Sequence, residues 1–293
     1  MKQKLLFLCF LFSFLNQYAQ EWQWLKRGGG QLEPDNNIGY YSKEGVLYMD
    51  TDKNGNLYIL SPLTQFNIDL DGIALESENN IANGKSALDF VIASYDCDGN
   101  YRWSNVIGGP SGEYDFSMQI DNEGNSYLTG IISSSPFKLT DEVYGNTGAN
   151  ERFMIKYDSE GEVLWYKSIQ ENEDEYINYA SHIIPKQIII DKENEKLFVV
   201  QKILKGTYGN GQLTVEEAED GKPRFYLFEY NLDGEFQNAV KLDLRMWGYA
   251  EGYRISKFAR DPNTGNIYLA GFAAGYYYDF SDITESEVVF GED

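Results

Sequence analysis

The run Asp50-Thr51-Asp52-Lys53-Asn54-Gly55 is where this chain comes nearest to a chemical motif. It opens like an oxygen-ligand calcium loop, D-x-[DN]-x-[DN]-G, in which alternate carboxylates and amides converge on a hard cation and glycine permits the sharp turn. Asp50, Asp52 and Asn54 are therefore candidate ligands, and calcium is the one cofactor the sequence suggests. Ser61 stands where such a loop places its bidentate Glu, so the same run also reads as an Asp- and Asn-rich hairpin turn. The segments Asp69-Leu70-Asp71-Gly72 and Asp96-Cys97-Asp98-Gly99 are shorter and read as turns.

Other residue types narrow the chemistry by elimination. His182 is the single histidine, which excludes multi-histidine zinc sites and makes any Ser-His-Asp triad depend on it alone. Cys97 lies between Asp96 and Asp98, whose negative charge works against a nucleophilic thiolate. With 46 Asp and Glu, some pair always falls at a separation suited to glycoside hydrolysis, so no pair is diagnostic. Tyr276-Tyr277-Tyr278 is a candidate binding platform for a sugar ring or a protein surface, with burial between elements as the competing reading. Gly28-Gly29-Gly30 lacks the strand-to-helix setting of a phosphate cradle, and the acidic runs at residues 171–175 and 216–220 read as solvated loops.

The elements that must position these residues follow from composition and periodicity. The formal charge of the 293 residues is -22, which repels phosphate backbones and anionic lipid surfaces, so nucleic acid is not an expected partner. Hydrophobic residues at 42% and aromatics at 15% are ample for a packed core. Lys2 and Lys4, the apolar stretch LLFLCFLFSFL from Leu5, and Ala19 before Gln20 make residues 1–19 a secretory signal peptide. Eleven apolar residues fall short of the roughly 20 that span a bilayer, and no later stretch approaches that length. Its removal takes Cys9 and the two lysines, leaving one thiol, no intrachain disulfide and a charge of -24.

Internal repetition is the strongest signal in the chain. LYMDTDKNGNLYIL from Leu47, SMQIDNEGNSYLTG from Ser117, QIIIDKENEKLFVV from Gln187 and KFARDPNTGNIYLAG from Lys257 share an apolar strand, an Asp-led turn and a strand with a central aromatic. The turn residues Asp52, Asp121, Asp191 and Asp261 are spaced 69, 70 and 70 residues apart, and Tyr58, Tyr127, Phe198 and Tyr268 hold the aromatic position, where all four are expected to be buried alike. Each unit is an expected β-hairpin in which Gly, or Asn194 in the third copy, takes positive φ. A second hairpin alternates with the first: DFVIASYDCDGNYRW from Asp89, ERFMIKYDSEGEVLW from Glu151 and PRFYLFEYNLDGEFQ from Pro223, with Trp103 and Trp165 following the turn glycine and Asn238 in the third copy. Its first strand is apolar on both faces, as in a sheet covered on both sides.

These hairpins, D-x-x-G-N-x-Y-x-x-G from Asp121 followed by F-x-I-K-Y-D-x-x-G-x-x-x-W from Phe153, resemble the bacterial SBBP-type β-propeller repeats of secreted and surface proteins. The resemblance covers roughly residues 22–291 and implies an all-β propeller of four-stranded antiparallel blades, about 70 residues each. Its expected organisation is an orphan strand at 22–30, repeats at 40–109, 110–178 and 179–250, and a partial repeat at 251–293. Trp24-Leu25-Lys26-Arg27-Gly28-Gly29 matches the run from Trp103 to Gly109, so the orphan is expected to complete the edge of a last blade. The fourth repeat stops before its second hairpin, and the expectation is a fragment of a longer product, for which the resemblance allows a C-terminal sorting domain, or else a small, incompletely closed assembly. The turn before Trp165 differs in spacing from the D-x-G of sialidase Asp-boxes, so no sialidase triad is implied. What the resemblance implies for function is a secreted, non-catalytic binding or scaffold module with a protein or glycan partner; the alternative is an extracellular glycan hydrolase or lyase with carboxylates in the channel.

Overall fold

A computed structural model describes residues 24–31, 45–63, 66–76, 89–140, 144–145, 151–169, 188–203, 205–216, 224–242, 254–261 and 264–272. Every regular element among them is a β-strand. They are β1 (Gly28–Gln31), β2 (Tyr48–Thr51), β3 (Leu57–Leu63), β4 (Phe66–Leu70), β5 (Ile73–Leu75), β6 (Asp89–Tyr95), β7 (Tyr101–Ile107), β8 (Tyr114–Ile120), β9 (Ser126–Ile132), β10 (Phe137–Lys138), β11 (Tyr144–Gly145) and β12 (Glu151–Tyr157). The remainder are β13 (Val163–Ser168), β14 (Ile188–Asp191), β15 (Lys196–Ile203), β16 (Gly206–Tyr208), β17 (Leu213–Val215), β18 (Arg224–Asn231), β19 (Phe236–Leu242), β20 (Arg254–Arg260) and β21 (Ile267–Phe272).

They form three four-stranded antiparallel sheets with identical order: β2-β3-β6-β7, β8-β9-β12-β13 and β14-β15-β18-β19. The hairpin β20-β21 repeats the first half of the pattern. Register is conserved between copies, for the strand-two aromatics Tyr58, Tyr127, Phe198 and Tyr268 pair with Asp50, Gln119, Ile189 and Ala259. Alternation then sends each aromatic and its partner to one face, and Met49, Met118, Ile188 and Phe258 to the other.

The expected alternation of two apolar faces is present in the third strands. Phe153, Ile155 and Tyr157 join the core between sheets one and two, while Met154 on the opposite face joins the core between sheets two and three. Strands buried on both faces account for the near-continuous apolar runs in β6, β12 and β18. The long connections between second and third strands form small hairpins, β4-β5, β10-β11 and β16-β17.

Two expectations are corrected. Tyr268 is 58% exposed, whereas Tyr58, Tyr127 and Phe198 are buried. Each buried aromatic is covered by the following sheet, and among the described residues none follows β20-β21. In the third first-hairpin turn, positive φ falls on Glu195 and not on Asn194, because this turn, like the fourth, has one more residue between Asp and aromatic. Gly28–Gln31, at the end of the expected orphan segment, form β1, which pairs with β4 in the connection of the first repeat. This contact is repeated one sheet on, where β7 of sheet one reaches β10 of sheet two through a Gly108 and Lys138 bridge.

Candidate functional site

The Asp-led turns are built by a carboxylate that the backbone itself consumes. Asp52 Oδ1 accepts the N–H groups of Asn54 and Asn56, and its Oδ2 accepts Asn56 Nδ2 and the Tyr58 hydroxyl. Asp121 repeats all four contacts with Glu123, Asn125 and Tyr127. Asp96, Asp158 and Asn231 accept the corresponding pair of backbone N–H groups in the second hairpins. Such Asx-type capture satisfies turn N–H groups that a sharp reversal would orphan. In Asp96 the side chain of Asn100, ahead of its backbone N–H, holds the carboxyl below the usual carboxylate range.

This accounting relocates the calcium candidates. Asp50 Oδ1 accepts the N–H of Thr51, and its Oδ2 crosses to the N–H of Ile120 in the next sheet at 3.1 Å. Asp50 is thus an inter-sheet staple, and Asp52 the organiser of its own turn. Asn54 contributes its backbone N–H to Asp52. The structure brings the three into one turn but engages both carboxylates with N–H donors, which compete directly with a cation for the same oxygens. Among the described residues no group of three or more His, Cys, Asp or Glu side chains is placed to hold a metal ion. Cys97 is exposed and free. Tyr276, Tyr277, Tyr278 and His182 lie outside the described residues.

Inter-sheet staples recur with the repeat. Gln119 is the register equivalent of Asp50, and its Oε1 accepts the N–H of Ile190. Ser117 Oγ accepts the N–H of Ile188. Between sheet three and β20-β21 the staple becomes ionic, with Arg260 paired to buried Asp191 at 2.6 Å and stacked over Phe198. On the outer side, Trp103 Nε1 donates to Ser159 O and Trp165 Nε1 to Leu232 O, each reaching the 3–4 turn of the following sheet. Arg102 reinforces the first junction by donating to Tyr58 Oη, Ser94 Oγ and Ser159 O.

Trp24 makes the corresponding contact to sheet one. Its Nε1 donates to Cys97 O at 3.2 Å, and its ring sits 6.4 Å from Tyr95 at 30°, against 6.5 Å and 30° for Trp103 and Tyr157. Gly99 and Gly161 lie under these rings with φ of 81° and 89°. A Cβ at either would stand 2.7 Å from Trp24 or Trp103, so glycine is demanded both by φ and by the ring.

One group outside the repeat pattern has unusual chemistry. Glu113 is wholly buried and neither carboxylate oxygen reaches a partner in hydrogen-bonding geometry. Burial pushes its carboxyl up to about 8, with the Ser134 hydroxyl offsetting part of the rise and the Asp89 charge adding to it. That hydroxyl is donated to Ser111 O, which keeps it from serving Glu113 fully. Asp89 is itself fully buried, and its Oδ1 lies against Gly108. The sequence reading missed this pair because the two acids sit 24 residues apart in unrelated contexts. The only local hint is Gly108-Gly109, which leaves the space that Asp89 and Ser134 occupy.

Set beside known proteins, the chain matches no family model and no curated protein.

Proposed function

We propose that the repeated sheets are blades of a β-propeller and that the protein is a secreted or cell-surface, non-catalytic binding or scaffold module of the SBBP-repeat kind. The observation that carries this reading is the serial contact of the innermost strands. Strand β2 lies against β8, β8 against β14 and β14 against β20, each junction stapled by a side chain to the next sheet. Radial packing of this kind leaves turns and connections on a rigid frame, where variable loops bind partners. Protein or glycan is the proposed partner class, and the signal peptide at residues 1–19 supports export.

The enzyme alternative requires carboxylates open to a sugar chain. Glu113, whose carboxyl is pushed up to about 8, is closed to solvent together with Asp89, so that pair does not offer carboxylates to a sugar. Affinity electrophoresis of the purified protein through gels containing individual polysaccharides, run beside a reducing-end assay on the same polysaccharides, tests the reading. Retardation without new reducing ends is the expected result for a glycan partner. Release of reducing ends that disappears in a carboxylate variant would replace it with the hydrolase.

A further inference from the structure

The two ends of the described array carry complementary unfilled faces. Leu47 and Met49 are 50% and 64% exposed, while Phe116 and Met118, which hold the same repeat positions in sheet two, are 2% and 3% exposed. Ile188 and Phe258, the equivalents of Met49 in the later copies, are buried too. Phe116 owes its burial to the preceding sheet, stacking on Phe90 at 4.1 Å. Sheet one has no preceding sheet among the described residues, although it already carries that sheet's outermost piece, for Trp24 docks on residues 95–99 as Trp103 docks on residues 157–161.

Trp24 also shows what the missing neighbour looks like. Trp103 and Trp165 each meet an aromatic from the second strand of their own sheet, Tyr58 at 6.1 Å and 64° and Tyr127 at 6.2 Å and 62°. Among the described residues no ring stands in that relation to Trp24. Tyr268, the register equivalent of Tyr58 and Tyr127, is 58% exposed at the opposite end of the array. The face that lacks a Tyr58-type ring and the face that offers one therefore belong to the same chain: β20 lies against β14, and Met49 and Tyr268 are both left exposed.

We infer that the Leu47/Met49 face is an interface for a second copy of this chain, whose β20-β21 hairpin docks on it with Tyr268 edge-on to Trp24. The contact is heterologous, head to tail, and follows the geometry of the junctions already present between successive sheets. Two copies joined twice close a ring, and copies joined once leave one face free at each end. The inference rests on sheet-to-sheet geometry and stands apart from the binding role proposed above.

The test uses the full chain and two single variants, Met49→Glu and Tyr268→Glu. Both side chains are exposed in the isolated chain, so each variant keeps its far-ultraviolet circular dichroism and the melting temperature that the parent shows at high dilution. By size-exclusion chromatography with light scattering, the parent chain has twice the monomer mass or more, in a concentration-dependent manner, and each variant alone is monomeric, since every joint needs one intact face of each kind. Mixing the two variants restores a singly joined pair, because one retains the head and the other the tail. A monomeric parent whose melting temperature falls in both variants would replace the inference with closure inside one chain. A monomeric parent indifferent to both changes, variants that assemble like the parent, or a mixture that stays monomeric would each overturn it.

Discussion

Glu113 is the residue whose environment most changes the pH response. An isolated glutamate ionises near 4.5, whereas here the proton is held up to about 8. Between those values the folded chain binds a proton that the unfolded chain has released, so stability falls as pH rises through the window, by roughly 1.4 kcal/mol per unit at most. Glu113→Gln removes this dependence. Its melting temperature is expected to exceed the parent's at pH 8 and to approach it near pH 4.5, and parallel melting curves across that range check the sign. Gly161 is sensitive for a different reason. Gly161→Ala places a Cβ against Trp103 in a left-handed backbone, and a loss of about 2 kcal/mol or more in urea unfolding is the expected outcome.

The hairpin turns act as small closed systems of donors and acceptors. Because the Asp50 and Asp52 oxygens are engaged by N–H donors, millimolar calcium is expected to leave the melting temperature unchanged. A rise of several degrees abolished by Asp52→Ala would restore the metal reading, since a native-state ligand at a hundredfold excess over Kd stabilises by about 2.7 kcal/mol. The outer-strand tryptophans join one element to the next. Trp103→Ala removes the indole donation to Ser159 O and the packing on Tyr58 and Tyr157. A loss of about 3 kcal/mol is expected from denaturant midpoints. Trp103→Phe isolates the N–H and should cost about 1 kcal/mol plus the change in ring fit.

At the scale of the whole molecule, charge opposes compactness. A net charge of -22 on 293 residues concentrates negative potential that salt screens over a Debye length of about 8 Å at physiological ionic strength. Raising sodium chloride from low ionic strength to about 0.15 M is therefore expected to raise the melting temperature by a few degrees. An unchanged or lowered value would show that ion pairs such as Lys26 with Asp71 outweigh the repulsion.

The sequence by itself determined the units. Hydrophobic alternation, the spacing of Asp52, Asp121, Asp191 and Asp261, and the Gly-Asn turns are local signals that specify a hairpin wherever it lies, and the hairpins stand where those signals place them. The likeness of Trp24 to Trp103 was legible for the same reason, since the repeat copies its contacts along with its residues. Only the tertiary structure decided what each side chain meets across a junction. Asp50 resembles a cation ligand in isolation and becomes a staple because Ile120 presents an N–H from a strand 70 residues away. Tyr268 has the sequence of a buried aromatic and is exposed because burial there is supplied by the following sheet. Glu113 acquires its chemistry from burial, offset by Ser134 and reinforced by Asp89, groups that the chain order separates and the packing of sheet one on sheet two brings together. Local pattern fixes a strand's faces, while burial and charge at those faces are properties of the neighbour that covers them.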